Sequence, residues 1–238
     1  MTWQELKTEI CRRLNIDYEE IRAGTNDLFK WDDLESWGNT AIHRAWDYHD
    51  WPFAEKTYTT TTTATATDKR EYYDYPQDFI SNSIKLLAVK DENSDFKVYE
   101  PINYEDFAKV LMEDDENNEL LWTSHGRYYL INQNAYDGAT GRTIELVGKM
   151  RCDNLTSSTA LLPFSEDTDN EESGGNEAIV KLAYSIALSS EKLKMKARGQ
   201  VEEQEALKIL EDISGKDKKL KAGYQHKGRP QFNVPRLF

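Results

Sequence analysis

Asp50-Trp51-Pro52-Phe53, with Thr57-Tyr58-Thr59-Thr60-Thr61-Thr62-Thr63-Ala64-Thr65 close behind it, is the stretch on which the fold turns. Upstream, Leu34, Trp37, Ala41, Ala45 and Tyr48 recur at helical spacing after Asp33, which predicts an amphipathic helix. That helix must stop at Pro52, because proline disfavours the helical region for the residue before it. Downstream, a run of β-branched threonines gains nothing from a helix and predicts a strand. A turn at Asp68-Lys69 leads to Glu71-Tyr72-Tyr73-Asp74-Tyr75, the expected hairpin partner of the threonine strand.

Toward the N-terminus, Trp3, Leu6, Ile10 and Leu14 predict a helix over residues 3–14, with Thr2 as its N-cap. Residues 17–22 form a short second helix, ended by Ala23-Gly24-Thr25-Asn26. These helices are expected to pack on each other. Beyond the corner, residues 84–89 and 96–99 flank the polar Asp91-Glu92-Asn93-Ser94-Asp95 as a second hairpin. Asn103 caps a short helix holding Phe107, Val110 and Leu111, and residues 127–131 and 143–147 make a third pair across Asp137-Gly138. Helical spacing then returns. Asn176 is expected to cap a helix carrying Ile179, Leu182, Ala183, Ile186 and Leu193, and small Ala183, Ala187 and Ser190 let a neighbour approach closely. Gly199 separates it from a helix over 201–213, with apolar Ala206, Ile209, Leu210 and Ile213 and with Gly215 at C′.

The expected class is α+β: a helical bundle from the N- and C-terminal helices, interrupted by an antiparallel β subdomain and followed by an extended C-terminal tail. Residues 1–53 give the first part of the bundle and 54–152 the antiparallel β insertion with one short helix. Residues 153–175 are an acidic connecting loop, 176–222 hold the helices that complete the bundle, and 223–238 are the tail.

Charge divides the 238-residue chain further. Its 30 Lys+Arg against 43 Asp+Glu give −13. Residues 216–238 hold seven basic residues and one acidic, a net +6, which leaves −19 for residues 1–215. The acids come in bursts, Glu113-Asp114-Asp115-Glu116 and a second one from Glu166-Asp167 through Glu171-Glu172, a pattern typical of solvated loops. The basic tail ends in apolar Phe232, Val234, Leu237 and Phe238, and Gly223, Gly228, Pro230 and Pro235 argue against a regular element there. An extended segment with apolar anchors is one that orders on a partner. An acidic chain is a poor general nucleic-acid binder. No run of about 18 apolar residues exists to span a membrane. The first residues lack a signal-peptide layout. Two cysteines, Cys11 and Cys152, make no disulfide framework and suit a reducing cytoplasm.

Chemistry is sparse. His43 and Asp47, four apart on one helix, and His49 beside Asp50 fall short of the three or four ligands a metal needs. Asp91 to Asp95 lacks the glycine and the later glutamate of a calcium loop. Ser173-Gly174-Gly175 has no following Lys-Ser/Thr pair and so is no phosphate loop. No nucleophile elbow or His-Glu-x-x-His is present. No catalytic residue, metal ligand or cofactor is therefore expected. A carboxylate pair of the glycosidase kind stays open, because spacing in sequence does not fix separation in space.

One constellation is more specific. Leu34-Glu35-Ser36-Trp37-Gly38-Asn39-Thr40-Ala41 continues to Trp46 and then to Asp50-Trp51-Pro52-Phe53; after the threonine strand comes Tyr75-Pro76-Gln77-Asp78-Phe79. This resembles the head-to-tail connector (adaptor, or head-completion) proteins of tailed bacteriophages. There a Leu-x-x-Trp-hydrophobic-Asn-x-Ala helix leads into a Trp-Pro-Phe corner, and a Tyr-x-Leu-Pro-x-Asp-Phe turn follows the strand. Leu162-Pro163-Phe164 and the two later helices are similar to the family's return to the bundle. The likeness spans about residues 27–215. Gly38 stands where a β-branched residue is usual, and Tyr75 where Leu is.

The resemblance implies a structural virion protein with no catalysis, made in the host cytoplasm and placed at the head–tail interface. It implies a homo-oligomeric ring, commonly a dodecamer, beneath the portal protein and above the tail or next connector protein. The ring continues a channel that passes double-stranded DNA without specific binding, and no membrane is involved. Trp37, Trp46, Trp51, Pro52, Phe53, Pro76, Asp78 and Phe79 become the structural corner. Tyr224, Arg229, Pro230, Phe232, Val234, Pro235, Arg236, Leu237 and Phe238 become the portal-binding segment. Glu113, Asp114, Asp115, Glu116 and Glu119 are then candidates to face the channel or the tail, since a wall of carboxylates repels a duplex. The competing expectations are a virion-associated cell-wall hydrolase using a carboxylate pair, and a DNA-binding module acting through the basic tail.

Overall fold

The computed structural model describes residues 1–62, 70–90, 95–113, 118–132, 141–165 and 174–225. The fold is mixed α+β and divides into two compact units, Met1–Trp51 with Cys152–Phe238, and Pro52–Arg151.

The first unit opens with α1 (Trp3–Leu14), started by a reciprocal capping box. Thr2 Oγ1 accepts from the Glu5 amide and Glu5 Oε2 accepts from the Thr2 amide. Its buried face is Trp3, Leu6, Lys7, Ile10 and Cys11. Helix α2 (Tyr18–Arg22) begins with Asp17 accepting from the Glu19 amide at 2.9 Å. Helix α3 (Trp31–Asp47) starts before Asp33, not after it. Asp33 lies in the first turn and its carboxylate accepts from the Lys30 amide at 2.7 Å. The stripe stops at Trp46: Tyr48 is the C-cap residue and is exposed.

Helix α5 (Gly175–Ser189) is buried along most of its length and packs on α1, on α3 and on α6 (Lys196–Gln225). Two sequence expectations are corrected here. Asn176 is not the cap. The chain enters α5 through Gly174, whose φ of 88° suits glycine, and buried Asn176 instead bonds Ser165 Oγ at 3.0 Å. That bond holds a short 3-10 turn, Pro163–Ser165, so residues 153–175 are not loop throughout. Nor do glycines end the last helix. Helix α6 runs through Gly199, Gly215 and Gly223, so residues 223–225 of the expected extended tail are helical, and residues 226–238 lie outside the described residues. Gly199 is a seat for α5: a Cβ there would press on Ser189 Oγ and come within 2.9 Å of the Ser185 carbonyl. The flanking lysines and alanine keep helix propensity high enough to carry Gly215, whose cost against alanine is about 1 kcal/mol.

The second unit is one seven-stranded sheet. Its strands are β1 (Glu55–Thr61), β2 (Arg70–Asp74), β3 (Phe79–Lys90), β4 (Phe96–Pro101), β5 (Leu121–His125), β6 (Tyr128–Asn132) and β7 (Thr143–Met150). They are ordered β1-β7-β3-β4-β5-β6-β2. Only the β3/β4 hairpin follows the sequence expectation. The threonine strand β1 pairs with β7, from Glu55↔Lys149 to Thr61↔Thr143, and not with β2. Strand β2 pairs with β6, where Tyr73 stacks on Tyr129 at 5.2 Å and Tyr72 meets Tyr128 edge-on. Aromatic cross-strand pairs of this kind outweigh tyrosine against threonine. The expected pairing of 127–131 with 143–147 is also absent. Strand β5, which the sequence did not reveal, takes β6 through the tight Gly126-Arg127 turn, with Gly126 at φ 62°.

The sheet is not wholly antiparallel, because β4 and β5 run parallel at Glu100↔Leu121 and Pro101↔Trp122. A parallel neighbour needs a crossover, and α4 (Tyr104–Glu113), capped by Asn103, lies on that connection. One core fills the sheet, including Tyr73, Phe79, Leu87, Tyr99, Trp122, Tyr129 and Leu146; Phe107 of α4 packs with Leu130 in a smaller cluster.

Candidate functional site

The corner is assembled from α3 outward. Trp37 is buried edge-on to Phe29, and Trp46 is buried nine residues further along α3. Trp51 is fully buried. Its indole Nε1 donates to the Ala45 carbonyl at 2.9 Å, and its ring meets Phe164 at 5.0 Å and His49 at 4.9 Å, both edge-on. An unwound chain end is thereby tied back onto the helix it has just left. Pro52 opens a 3-10 turn, Pro52–Ala54, in which Phe53 is half-buried.

In the sheet unit, the Phe79 amide donates to the Pro76 carbonyl at 2.9 Å and closes the Pro-x-Asp-Phe turn. The Arg151 amide donates to the Asp78 carbonyl and Arg151 Nε to the Phe79 carbonyl, at 2.6 and 3.0 Å. Asp78 thus acts here through its backbone. The Phe79 ring lies on Gly148, where a Cβ would be 2.7 Å from it.

Sequence reasoning quoted Asn39 without giving it a task. Its Oδ1 accepts from the Leu155 amide at 2.8 Å and its Nδ2 donates to the Leu155 carbonyl at 3.4 Å. His43 Nε2 bonds Asn154 Oδ1 at 2.8 Å. The two side chains, one turn apart, hold residues 154–155 against α3 where the chain has just re-entered this unit. A polar residue two beyond Trp37 in an apolar stripe was the available signal. Lys7 was also missed. It is buried beneath the rings of Trp3 and Trp31, at 5.0 and 3.8 Å, with Glu35 Oε1 4.0 Å away. Burial pushes its ammonium pKa down, partly opposed by Glu35.

The other sites fall largely elsewhere. Glu113 ends α4, and Glu119 is exposed, its carbonyl accepting from Asn132 Nδ2 at 2.9 Å; Asp114, Asp115 and Glu116 lie outside the described residues. Tyr224 is in the last turn of α6, while Arg229, Pro230, Phe232, Val234, Pro235, Arg236, Leu237 and Phe238 lie outside the described residues.

Among the described residues, no three His, Cys, Asp or Glu side chains converge to hold a metal. Glu5, Glu9 and Glu205 shift downward. Glu9 reaches about 2 through its hydrogen bond from Arg12, helped by Arg13, and Glu205 is lowered by Lys181. Burial pushes the Cys11 thiol up to about 11. Two open clefts in the helical unit are lined mainly by hydroxyls and isolated charges: one of about 400 Å³ by Thr2, Thr8, Ser158 and Thr159, and one of about 450 Å³ by Ser36, Arg44, Ser185, Ser189 and Glu203. No helix among the described residues is long and apolar enough to cross a membrane.

Compared with known proteins, the chain matches no family model and is not significantly similar to any curated protein.

Proposed function

We propose that this chain is a structural virion protein, a head–tail connector that forms a ring beneath the portal and continues the DNA channel toward the tail. The observation that carries the proposal is the ordered constellation from Leu34 to Phe79, with Trp37, Trp51 and Phe79 all buried. The chain order of helices, sheet and helices agrees with the architecture that the resemblance implies. On this reading α1, α3, α5 and α6 are the bundle, and the segment after Gln225 docks in grooves of the portal through Phe232, Val234, Leu237 and Phe238. Each copy supplies modest contacts, and the ring multiplies them through effective concentration. The acidic body keeps the duplex from adhering during passage.

No catalytic role is assigned. A hydrolase acid must be held protonated near neutrality, whereas Glu5, Glu9 and Glu205 move the other way. Electron microscopy of the protein mixed with its portal tests the proposal. Rings capping the portal are expected, and removal of residues 224–238 should abolish them. Particles that never form, or that survive the truncation, overturn it.

A further inference from the structure

Strand β1 is an edge of the sheet: β7 pairs with it on one side, and it ends the strand order on the other. Edges of this kind are normally blunted by a proline, a bulge, a charge or a covering element. Among the described residues none of these guards residues 57–61. The register runs unbroken from Glu55↔Lys149 to Thr61↔Thr143. Glu55 and Lys56 stand together at the start, and the five residues after them are uncharged. Lys56, Thr57, Tyr58 and Thr59 are exposed in succession. Consecutive side chains of a strand point to opposite faces, so β1 is open on both.

One hydrogen bond fixes which backbone groups face outward. The Thr62 amide donates to the Arg142 carbonyl at 2.8 Å, so Thr62 turns its backbone toward β7. Backbone groups alternate along a strand, so Thr60, Tyr58 and Lys56 turn the same way. Glu55, Thr57, Thr59 and Thr61 then turn their amides and carbonyls to the free edge, where no other described segment bonds them. A row of such groups is a template for one more extended strand.

We propose that this strand is β1 of a second copy, antiparallel to the first about a two-fold axis at Tyr58. Thr57 then faces Thr59 of the second copy, and Glu55 faces Thr61, so every outward residue is used and each pair exchanges two hydrogen bonds. Lys56 faces Thr60, so no like charges are opposed. Tyr58 meets its counterpart at a non-hydrogen-bonded position, where Cα atoms lie about 4.5 Å apart and side chains are closest. Charge favours a second copy as the occupant: β1 has no net charge on a chain of −13, so two copies approach there against little local repulsion. Seven residues a side is about a third of a standard interface, which makes the dimer a weak one. An isologous contact is used up by a single partner. The inference therefore concerns the free chain, goes beyond the ring reading and stands or falls without it.

Sedimentation velocity of the full chain, without portal, is the test. The mass should rise toward a dimer with protein concentration, and further in about 1 M salt, which screens the repulsion between two acidic chains. Thr59→Pro removes an outward amide and no bond to β7, so it should weaken dimerisation about tenfold or more and keep the wild-type circular dichroism spectrum. Thr57→Lys with Thr59→Lys should be monomeric, and so should Thr57→Glu with Thr59→Glu; an equimolar mixture of the two should recover dimers, because opposite charges then face each other. Cross-linking checks the register. In a Cys152→Ser background, Tyr58→Cys should give a disulfide-linked dimer when oxidised glutathione takes up the two electrons and two protons of the thiols. Thr60→Cys, which faces Lys56 of the second copy, should not. A wild type that is monomeric at every concentration, variants that dimerise as it does, a mixture that fails to recover, or equal cross-linking at 58 and 60 overturns the proposal. So does a wild type that stays monomeric yet binds extended peptides of unrelated sequence.

Discussion

Gly38 offers a sharp test of how the helical unit is packed. It lies within α3, where glycine costs about 1 kcal/mol relative to alanine, so an open position would gain that much from Gly38→Ala. The structure gives a reason for the opposite sign. A Cβ at 38 would lie 2.5 Å from Cη2 and Cζ3 of Trp3, whereas carbon atoms rest at about 3.5–4.0 Å. Trp3 is fully buried on α1, so its indole has no room to retreat by the ångström required. Overpacking of this kind costs about 1–3 kcal/mol, which leaves Gly38→Ala destabilising by about 1 kcal/mol net after the propensity gain. Urea unfolding followed by far-ultraviolet circular dichroism would report it as a lower midpoint at unchanged slope. The second arm uses Trp3→Leu, which removes the colliding atoms. In that background Gly38→Ala should stabilise by about 1 kcal/mol, a coupling of about 2 kcal/mol between residues 3 and 38. A Gly38→Ala protein that is more stable than wild type, with Trp3 present, would refute the packing argument.

Three further outcomes follow from the same unit. Glu9 has a folded pKa of about 2, below its ordinary 4.5, so its stabilising effect is complete above pH 4.5 and fades as the pH falls toward 2. Glu9→Gln should flatten the thermal midpoint across that window and leave its shape above it unchanged; a steep acid limb that persists would contradict this. Lys7 is held below its ordinary pKa by burial, so the fold disfavours its charge and gains stability as the pH rises toward 10.5. Lys7→Met should fold at least as stably at pH 7 and lose that alkaline gain, whereas Lys7→Ala should cost about 2 kcal/mol or more through the cavity between Trp3 and Trp31. Asn39→Ala removes both bonds to Leu155 and should cost about 1–3 kcal/mol in denaturant titration, with His43→Ala costing less because that pair is exposed.

The helices of residues 1–47 were legible because caps and spacing are local: the Thr2 cap and the stripe from Leu34 to Ala45 each depend on near neighbours. Strand pairing was legible only where it was local too, in the β3/β4 hairpin. Partners of β1 and β2 are set by side chains about 60 to 90 residues away, and no short-range pattern announces that Tyr73 prefers Tyr129 or that Thr57 faces Val147. Strand β5 was missed since its five residues mix Trp122 with Ser124 and His125 and show no clean alternation. Glycine misled in two directions. Gly199 and Gly215 read as punctuation in the sequence, yet the first is a packing seat and the second is carried along by its helix.

The same reading of glycine changes what the corner motif means. Phe79 lies on Gly148, Phe164 on Gly175 and Trp3 on Gly38, each ring so close that a Cβ beneath it would collide. The aromatics of the Pro-x-Asp-Phe turn and the Leu-Pro-Phe return are therefore matched to bare backbone, far away in sequence for Phe79 and just beyond the 3-10 turn for Phe164. That match also accounts for Gly38, where any β-branched residue would strike the Trp3 ring. Trp51 closes onto Ala45 and Phe164, and Asn39 onto Leu155, so these groups of the motif are spent on contacts inside the chain. Aromatics used up in this way specify how the chain turns. Lys194 and Lys196, in contrast, are charged and exposed. Substitutions in the corner should accordingly lower stability and spare association per folded molecule. A corner variant that folds with wild-type stability yet fails to associate would break that division.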